Sequence, residues 1–330
     1  MTKPRVLLCD RIPEEAERYL KARCRLETPK GNKVIGRRAL LRAVREAEGL
    51  IPTVAVVVDE EVMDAAPRLR VIANYGVGYN NIDVAAATER GLPVTNTPGV
   101  LTETTADFAF TLMLAAGRRL GEGERLIRDK GWKGWEPTQL MGMDVHGKTL
   151  GILGLGRVGK ALARRARGFG MKVVYFDEMR PPAKVERELG VRFASIASLL
   201  RRADFISVHT PLTPETHHLI GAAEFRRMKR TAVLVNAARG PIVDEKALVR
   251  ALRTGQIAAA GLEVFEREPA VEPGLLKLEN VVLAPHIASS SLETRTAMGT
   301  LAAKNCLAAL AGRKPPQIVN PEVWRRRRKA

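Results

Sequence analysis

Three glycines that follow an apolar run carry the most specific chemical signal in this sequence. Residues 150–153 are apolar, and Gly154, Gly156 and Gly159 follow in the spacing Gly-x-Gly-x-x-Gly. In this pattern the first glycine allows a tight turn, and the second lets backbone N–H groups approach a pyrophosphate at a helix N-terminus. The third lets the helix pack closely on the strand. The spacing therefore predicts a dinucleotide-binding turn between a strand and a helix.

An acidic residue at the expected distance supports this interpretation. Residues 172–176 form a second strand-like run that ends at Asp177, 23 positions after Gly154. A carboxylate at this place bonds the ribose hydroxyls of NAD and repels the 2′-phosphate of NADP. Asp177 therefore favours NAD. Arg180 lies three positions further on and can offset part of the repulsion, so NADP stays possible.

Three further polar residues follow consecutive strand-like runs in the C-terminal half. They are Arg239, Glu268 and His286. In open α/β sheets, ligands bind beyond the carboxyl ends of the strands. There a histidine can exchange a proton with an alcohol or a carbonyl, a glutamate can fix its tautomer, and an arginine can clamp a carboxylate. Each residue alone is more often a surface or structural group, but their shared position predicts a catalytic set.

The elements that position these residues alternate between strands and helices, which predicts parallel α/β sheets. In the first part of the chain the pattern predicts strands at 4–9, 69–73 and 92–95, a strand followed by a loop at 49–58, and helices at 13–21, 36–48 and 84–90. Long helices are expected at 101–119 and 292–310. The second half carries six strand candidates, centred on Leu153, Val174, Phe205, Leu234, Gly261 and Leu283.

Residues 121–147 have a different character. They are rich in glycine, contain Trp132, Trp135 and Pro137, and show little periodicity. We expect an extended arm or loop here, and exposed tryptophans of this kind suit a subunit interface.

The bulk composition limits the possible classes of protein. The chain has 330 residues, 45% of them hydrophobic and 27% charged, which predicts two globular domains and no membrane span. Three widely spaced cysteines indicate reduced thiols of a cytoplasmic protein and no disulfide or metal framework. The net charge of +18 comes mainly from scattered arginines, so we expect a solvated basic surface with a basic tail at 325–329 and no nucleic-acid partner.

The sequence resembles the D-isomer-specific 2-hydroxyacid dehydrogenases over nearly its whole length. Six segments carry the resemblance: Asn-Tyr-Gly-Val-Gly-Tyr-Asn-Asn-Ile-Asp (74–83), Gly-Leu-Gly-Arg-Val-Gly (154–159), His-Thr-Pro-Leu-Thr-Pro-Glu-Thr (209–216), Asn-Ala-Ala-Arg-Gly (236–240), Val-Phe-Glu-Arg-Glu-Pro (264–269) and Pro-His-Ile-Ala-Ser (285–289). Within the family it is most similar to archaeal-type glyoxylate/hydroxypyruvate reductases, notably at residues 134–137 and 315–323.

The resemblance implies two doubly wound, Rossmann-like domains with a cleft between them. Residues 1–98 and 290–330 would form a discontinuous, flavodoxin-like substrate domain, and residues 99–289 an NAD-binding domain with a dimerisation arm at about 118–147. It also implies reduction of a small 2-keto acid to the D-2-hydroxy acid by a homodimer.

The roles of individual residues follow from the same resemblance. Arg239 binds the substrate carboxylate and carbonyl oxygen, His286 is the general acid/base, and Glu268 pairs with His286. The implied cofactor contacts are Gly154, Gly156, Arg157, Val158, Gly159, Asp177, Thr105, His209, Thr210, Pro211, Thr216, Ala237, Ala238, Glu263 and Ala288. The implied substrate contacts, besides Arg239, are the backbone at Val77 and Gly78 and Trp135 of a partner subunit. We also expect Thr53 and Tyr75 to line the substrate pocket. Glu263 departs from the family pattern, which usually has aspartate there.

Three alternatives stay open on the sequence alone. A 3-phosphoglycerate dehydrogenase or another D-2-hydroxyacid dehydrogenase uses the same chemistry. A phosphite dehydrogenase shares the fold but resembles this chain less, because it carries a lysine at the position of Val77. A more distant alternative is an NAD-sensing co-repressor, a class that occurs among relatives of this family and that the basic charge of the chain would suit. An intact catalytic set disfavours this alternative.

Overall fold

The computed structural model describes residues 3–29, 31 and 34–327, which form two compact units. Unit 1 contains the chain up to Leu101 and from Ser290 onward, and unit 2 contains Thr102–Ser289. The sequence placed the corresponding boundaries after residues 98 and 289. The N-terminal and C-terminal parts of the chain thus form one unit, and the central part forms the other.

The described part of the chain contains twelve strands. Those of unit 1 are β1 Arg5–Leu8, β2 Arg25–Glu27, β3 Gly49–Ile51, β4 Val71–Ala73 and β5 Val94–Thr95. Those of unit 2 are β6 Thr149–Leu153, β7 Lys172–Phe176, β8 Val191–Phe193, β9 Phe205–Val208, β10 Val233–Asn236, β11 Ala259–Leu262 and β12 Val281–Leu283.

Twelve α-helices lie among the same residues. They are α1 Glu14–Lys21, α2 Arg37–Ala43, α3 Glu60–Asp64, α4 Val84–Glu89, α5 Thr102–Gly117, α6 Leu120–Arg128, α7 Arg157–Gly168, α8 Ala183–Leu189, α9 Ile196–Arg202, α10 Ala222–Phe225, α11 Glu245–Arg253 and α12 Leu292–Leu310. Short 3₁₀ turns occur at Val44–Glu46, Gly240–Ile242, Leu275–Lys277 and Pro321–Arg325.

The sheet of unit 1 has the strand order β2-β1-β3-β4-β5, and every pair is parallel. This is the flavodoxin-like order. Side chains along β1 alternate between the two faces: Leu7 belongs to the cluster on one face, and Val6 and Leu8 belong to the cluster on the other. Helix α12 packs on β3 and β4 together with α1, so the end of the chain completes the first domain.

The sheet of unit 2 has the order β12-β11-β10-β9-β6-β7-β8, also fully parallel. Counted within the unit, the order 7-6-5-4-1-2-3 is that of the dinucleotide-binding Rossmann fold with one added strand. The order reverses between β6 and β9, which are neighbours in the sheet but distant in sequence. Ligands of such sheets bind outside the carboxyl ends of the strands at this switch point. The predicted α/β class and the two doubly wound sheets are confirmed.

Several helix starts follow from short polar residues at the cap position. Asp59, Asp83, Asp244 and Ser291 each accept a hydrogen bond from a backbone N–H in the first turn of the helix that follows. Such caps satisfy an N–H group that has no partner within the helix.

The structure differs from the predicted elements at short or exposed segments. The edge strands β2 and β8 are absent from the prediction because they have three residues each and little apolar pattern. Within the strand and loop predicted at 49–58, the strand ends at Ile51. Part of the predicted arm is helical, because α6 occupies its start, and this helix has no buried residue.

None of the described helices has the length and apolar character that crossing a bilayer requires. The three cysteines, Cys9, Cys24 and Cys306, are buried and unpaired.

Candidate active site

The turn after β6 requires glycine at two of its three glycine positions. Gly154 has a φ of +94°, in the region that favours glycine, and a Cβ there would lie 2.7 Å from the carbonyl carbon of His209. A Cβ on Gly159 would lie 2.2 Å from the carbonyl oxygen of Gly154. The first and third glycines are therefore needed for close packing within unit 2.

Gly156 is different because the space beside it is open. It is the N-cap residue of α7, no side chain caps this helix, and a Cβ on Gly156 would meet nothing within 4 Å. The first-turn N–H groups of an uncapped helix form an anion site. The open backbone at Gly156 and the helix N-terminus thus fit a dinucleotide diphosphate. Arg157 and Val158, two of the predicted cofactor contacts, lie in the first turn of α7.

Asp177 lies directly after β7 and is held against the glycine turn. Its Oδ2 accepts a hydrogen bond from the Leu155 N–H (2.7 Å), and its Oδ1 accepts one from the Met179 N–H (2.9 Å). These bonds fix the orientation of the carboxylate. Since each carboxylate oxygen can accept a second hydrogen bond, Asp177 keeps the capacity to bind ribose hydroxyls.

The segment after β9 lies on the other side of the glycine turn. The His209 N–H donates to the Leu153 carbonyl (2.7 Å), and its Nε2 lies 2.8 Å from the Ser207 hydroxyl. Burial lowers the pKa of His209 to about 4, so its ring is neutral at neutral pH. The Thr210 hydroxyl is buried and has no hydrogen-bond partner among the described residues. A buried hydroxyl without a partner suits a site that a ligand completes.

Two other predicted cofactor contacts, Thr216 and Thr105, lie within unit 2. The Thr216 hydroxyl accepts from the Thr213 N–H (2.8 Å) and donates to the Pro211 carbonyl (2.7 Å), so it closes its own loop. Thr105 is buried in the first turn of α5. The fold of unit 2 thus accounts for Thr216, and the contact of either threonine with a cofactor stays a prediction.

The turn that carries Arg239 is shaped by Asn236, a residue that the sequence analysis did not single out. The Asn236 side chain accepts from the Ala238 N–H (3.1 Å) and donates to the Arg239 carbonyl (2.9 Å). Ala237 and Ala238 lie within this turn. Burial lowers the pKa of the half-buried Arg239 guanidinium, while the charges of Glu268 and Glu263 act in the opposite direction.

The next residue brings two strand ends together. A Cβ on Gly240 would lie 1.9 Å from the carbonyl carbon of Phe265, so the backbone after β10 lies directly against the segment after β11. Only glycine permits this approach. The turn that carries Arg239 and the segment that carries Glu268 are therefore in backbone contact.

Glu268 and His286 form a hydrogen-bonded pair. Glu268 Oε2 lies 2.8 Å from His286 Nδ1, and Glu268 Oε1 accepts from the Phe265 N–H (3.0 Å). Burial raises the pKa of Glu268, but the hydrogen bond with His286 and its charge lower it, and the net pKa lies below the ordinary value. The carboxylate is thus charged at neutral pH and holds the imidazole in one orientation.

His286 is also fixed through its backbone. It has a φ of +53°, and its N–H donates to the carbonyls of Glu263 (2.8 Å) and Ala284 (3.1 Å). The Glu263 side chain accepts from the Ala288 N–H at 2.8 Å, and burial raises the pKa of this carboxyl. Both Glu263 and Ala288 were predicted as cofactor contacts; in the structure they brace the turn that carries the histidine.

The arrangement combines two chemical capacities at one edge of the unit 2 sheet. The end of β6 offers an anion site, and the ends of β10, β11 and β12 offer a guanidinium and a carboxylate–imidazole pair. Such a set can bind a carboxylate and exchange a proton with a neighbouring oxygen. No group of three or more His, Cys, Asp or Glu side chains within residues 3–29, 31 and 34–327 is arranged to hold a metal ion.

In unit 1, asparagine side chains shape the loop that contains Val77 and Gly78. Asn74 donates to the Gly78 carbonyl (2.8 Å), and Asn96 donates to the Val77 carbonyl (2.8 Å). The carbonyls are thus occupied within the loop. Asn74 lies in the family segment at 74–83, but its role in bracing the loop was not predicted.

The two side chains predicted to line the substrate pocket differ in their surroundings. The Thr53 hydroxyl is buried and has no hydrogen-bond partner among the described residues. Tyr75, in contrast, is 4% exposed and belongs to the core beneath α12, where its hydroxyl donates to the Arg295 carbonyl (2.9 Å). Tyr75 therefore stabilises unit 1, and a direct substrate contact by its side chain stays a prediction.

Trp135 lies in the predicted arm of unit 2 and is 82% exposed. Other large apolar side chains of the same arm are also exposed, namely Leu120, Ile127, Trp132 and Met141.

A further set of hydrogen bonds, not predicted from the sequence, lies next to the catalytic residues. Glu266 Oε1 lies 2.9 Å from His218 Nε2 and accepts from the Glu245 N–H (3.0 Å), while Glu245 Oε1 accepts from the Glu266 N–H (2.9 Å). These contacts join the start of α11 to the segment before Glu268. Only Glu266, as part of a family segment, gave a sequence signal.

Comparison with known proteins finds a matching family and relatives that span the chain. The model of the NAD-binding domain of D-isomer-specific 2-hydroxyacid dehydrogenases matches residues 110–288. A glyoxylate reductase of Korarchaeum cryptofilum is 50% identical over 323 residues, which are 97% of each chain.

Solved structures extend the similarity to the whole fold. A protein of Thermus thermophilus has a TM-score of 0.89 and 47% identity, and the match covers 96% of this chain and 99% of that one. An NADPH-dependent glyoxylate/hydroxypyruvate reductase of Sinorhizobium meliloti, solved in complex with NADP and malonate, has a TM-score of 0.86 and 34% identity over 100% of both chains.

Proposed function

Since the chain belongs to the D-isomer-specific 2-hydroxyacid dehydrogenase family, we propose that it reduces glyoxylate and hydroxypyruvate to the corresponding 2-hydroxy acids with a nicotinamide dinucleotide. The observation that carries this proposal is the set at one sheet edge of unit 2. There the Glu268–His286 pair and Arg239 follow adjacent strands, on the same edge as the glycine turn. The glyoxylate reductases among the relatives support the choice of substrate.

In this proposal Arg239 binds the substrate. Its guanidinium forms paired hydrogen bonds with the carboxylate of the 2-keto acid and polarises the neighbouring carbonyl. Burial of the arginine strengthens this contact, because a partly desolvated charge has less competition from water.

His286 supplies the proton. The nicotinamide, when bound, supplies a hydride to the keto carbon, and protonated His286 gives its proton to the keto oxygen, so that the C=O becomes CH–OH. Glu268 stabilises the imidazolium before this transfer and keeps the ring in position afterwards. His286 then takes up a proton from solvent.

The dinucleotide would be held by the turn after β6 and by Asp177. The N-terminus of α7 and the backbone at Gly156 receive the diphosphate, and Asp177 receives the ribose hydroxyls. We propose NAD as the preferred cofactor because of the charge on Asp177. NADP stays possible, since the Sinorhizobium meliloti relative binds it.

The proposal also assigns roles to unit 1 and to the arm. We assign residues 1–98 and 290–330 as the substrate domain, with the backbone N–H groups at Val77 and Gly78 facing the substrate carboxylate. The exposed arm at about 118–147 would pair two copies into a homodimer, with Trp135 reaching the partner subunit. The free cysteines and the use of a nicotinamide cofactor suit a cytoplasmic enzyme.

The test is the loss of NADH and of NADPH absorbance with four acids in parallel: glyoxylate, hydroxypyruvate, pyruvate and phosphohydroxypyruvate. We expect the highest kcat/KM with glyoxylate or hydroxypyruvate and NADH. A preference for the phosphorylated acid would instead assign the enzyme to 3-phosphoglycerate chemistry. Binding of NADH without turnover of any of the four acids would contradict the proposal and favour the sensor alternative.

A further inference from the structure

The turn between β7 and α8 contains one basic residue, Arg180, and the structure shows how that residue is held. Its Nε donates to Glu186 Oε1 (2.8 Å), and its Nη2 donates to Glu186 Oε2 (2.9 Å). The guanidinium carbon also lies 5.3 Å from the ring centroid of Phe193. A two-point contact of this kind fixes both the position and the direction of an arginine side chain.

Glu186 is itself held in place by a residue of the sheet. It is 9% exposed, on α8, and it accepts a further hydrogen bond from the hydroxyl of the fully buried Tyr175 on β7. The Arg180 contact and the Tyr175 hydroxyl lower the pKa of Glu186 to about 2, and burial together with the hydrogen bond to Glu186 raises the pKa of Tyr175 to about 12. The carboxylate is therefore charged throughout the pH range in which an enzyme of this type works.

The network of Arg180, Glu186 and Tyr175 is relevant to cofactor binding because Arg180 lies close to Asp177 in the chain. Asp177, three residues before Arg180, is held by backbone N–H groups at the place where a dinucleotide presents its adenosine ribose. A nearby arginine accommodates a 2′-phosphate at that place, and Arg180 is the only lysine or arginine in the turn at 177–182.

We propose that Glu186 determines the cofactor preference of this enzyme by holding Arg180 in an internal ion pair, so that Arg180 does not neutralise a 2′-phosphate beside Asp177. The inference rests on the proposed use of a nicotinamide dinucleotide. It adds a specificity residue that contacts neither the cofactor nor the substrate and acts through Arg180.

The experiment measures binding of NADH and NADPH by fluorescence titration in the absence of any keto acid, so a wrong substrate assignment does not affect it. In Glu186→Gln the shape of the side chain is kept and its charge is lost. We expect the Kd for NADPH to fall about tenfold, the effect of one charge-assisted hydrogen bond, while the Kd for NADH changes less than about twofold.

Three further variants distinguish the release of Arg180 from a general loosening of the network around Glu186. Glu188→Gln, on the same helix and paired with Lys184 at 3.9 Å, is the matched control and leaves both Kd values unchanged. Tyr175→Phe loosens the same network without removing the charge on Glu186 and leaves the Kd for NADPH unchanged. In Arg180→Ala/Glu186→Gln the gain in NADPH affinity disappears.

Two results would overturn the proposal. One is an unchanged Kd for NADPH in a Glu186→Gln protein that binds NADH normally and has the melting temperature of the wild type. The other is weaker NADPH binding in the single variant Arg180→Ala, because it would mean that Arg180 already contacts the 2′-phosphate in the wild type.

Discussion

His286 contacts Glu268 through Nδ1, so Nε2 is the nitrogen that exchanges a proton with substrate in the proposed mechanism. We expect His286→Ala to lower kcat by about 10²- to 10⁴-fold, the range found for general acid–base groups. Glu268→Gln lowers kcat less, because an amide orients the ring without stabilising the imidazolium. Single-turnover kinetics measure the fall in rate for each variant, and NADH titration measures cofactor binding.

The control for this pair is the exposed His146, whose replacement by alanine leaves kcat unchanged. NADH binding is expected to survive in all three variants. Turnover that is undiminished in His286→Ala would remove the histidine from the acid/base role.

His209 gives the molecule a specific pH dependence of stability. Its pKa in the folded protein is about 4, because burial disfavours the charged ring, whereas a histidine in an unfolded chain has a pKa of about 6.5. Below pH 6.5 the unfolded chain binds a proton that the folded chain does not bind. The free energy of unfolding therefore decreases as the pH falls from about 6.5 towards about 4.

We expect His209 to account for about 2 kcal/mol of stability lost between pH 7 and pH 5. Urea unfolding of the wild type and of His209→Gln at both pH values measures this contribution. The pH dependence should be smaller in His209→Gln and the same as wild type in His146→Gln. Equal slopes in all three proteins would show that His209 is not held neutral.

At the scale of elements, the backbone contact between the segments that follow β10 and β11 positions the catalytic residues. β10 and β11 are parallel neighbours, and the glycine after Arg239 lies against the backbone of Phe265. The Glu245–Glu266 hydrogen bonds then join α11 to the same segment. Arg239 and Glu268 are therefore positioned by backbone packing as well as by their own side-chain contacts.

Gly240→Ala tests this packing. An added methyl group overlaps the Phe265 carbonyl, so we expect a loss of stability of about 1–3 kcal/mol and a fall in kcat of about 100-fold from misplaced catalytic groups. The matched control is Gly168→Ala in α7, where a Cβ meets nothing within 4 Å. That variant should be as stable as the wild type or more stable by up to about 1 kcal/mol.

Thermal unfolding and steady-state kinetics of the two variants provide the comparison. If Gly240→Ala is as stable and active as Gly168→Ala, the close approach of the two backbones is not needed for the site.

At the scale of the whole molecule, the exposed apolar side chains of the arm are the main feature that a single copy leaves unexplained. Helix α6 buries none of its residues within the chain, and Trp135 is 82% exposed. Clusters of exposed aromatic and aliphatic residues are typical of interfaces.

We expect sedimentation equilibrium to give twice the mass of one chain. Trp135→Ala should weaken self-association by more than about tenfold, as loss of an aromatic interface residue does. Leu292→Ala, which changes a residue that is 74% exposed and lies outside the arm, is the control and should not alter the mass. A wild-type protein that sediments as a monomer at micromolar concentration would contradict the proposed dimer.

The sequence by itself determined those features that depend on local chemistry and on short-range pattern. Gly154 and Gly159 are restricted by the tight turn and by helix–strand packing, and a strand followed by an acid at the right distance specifies the rest of the nucleotide motif. Alternating strands and helices specify parallel sheets, because parallel strands need a crossover connection between them. The parallel α/β class was predictable for this reason, whereas the two doubly wound domains were predicted from the resemblance to a known family.

The tertiary structure alone decided which polar groups became partners across long sequence distances. Asn236 gave a signal only as part of a family segment, and Glu245 and His218 gave none. The roles of all three depend on which strand ends become neighbours. The direction of the Tyr75 side chain likewise depends on the packing of a helix some 220 residues away, whose Arg295 carbonyl accepts its hydrogen bond. The short strands β2 and β8 were missed since an edge strand is stabilised by its neighbour in the sheet and needs little pattern of its own.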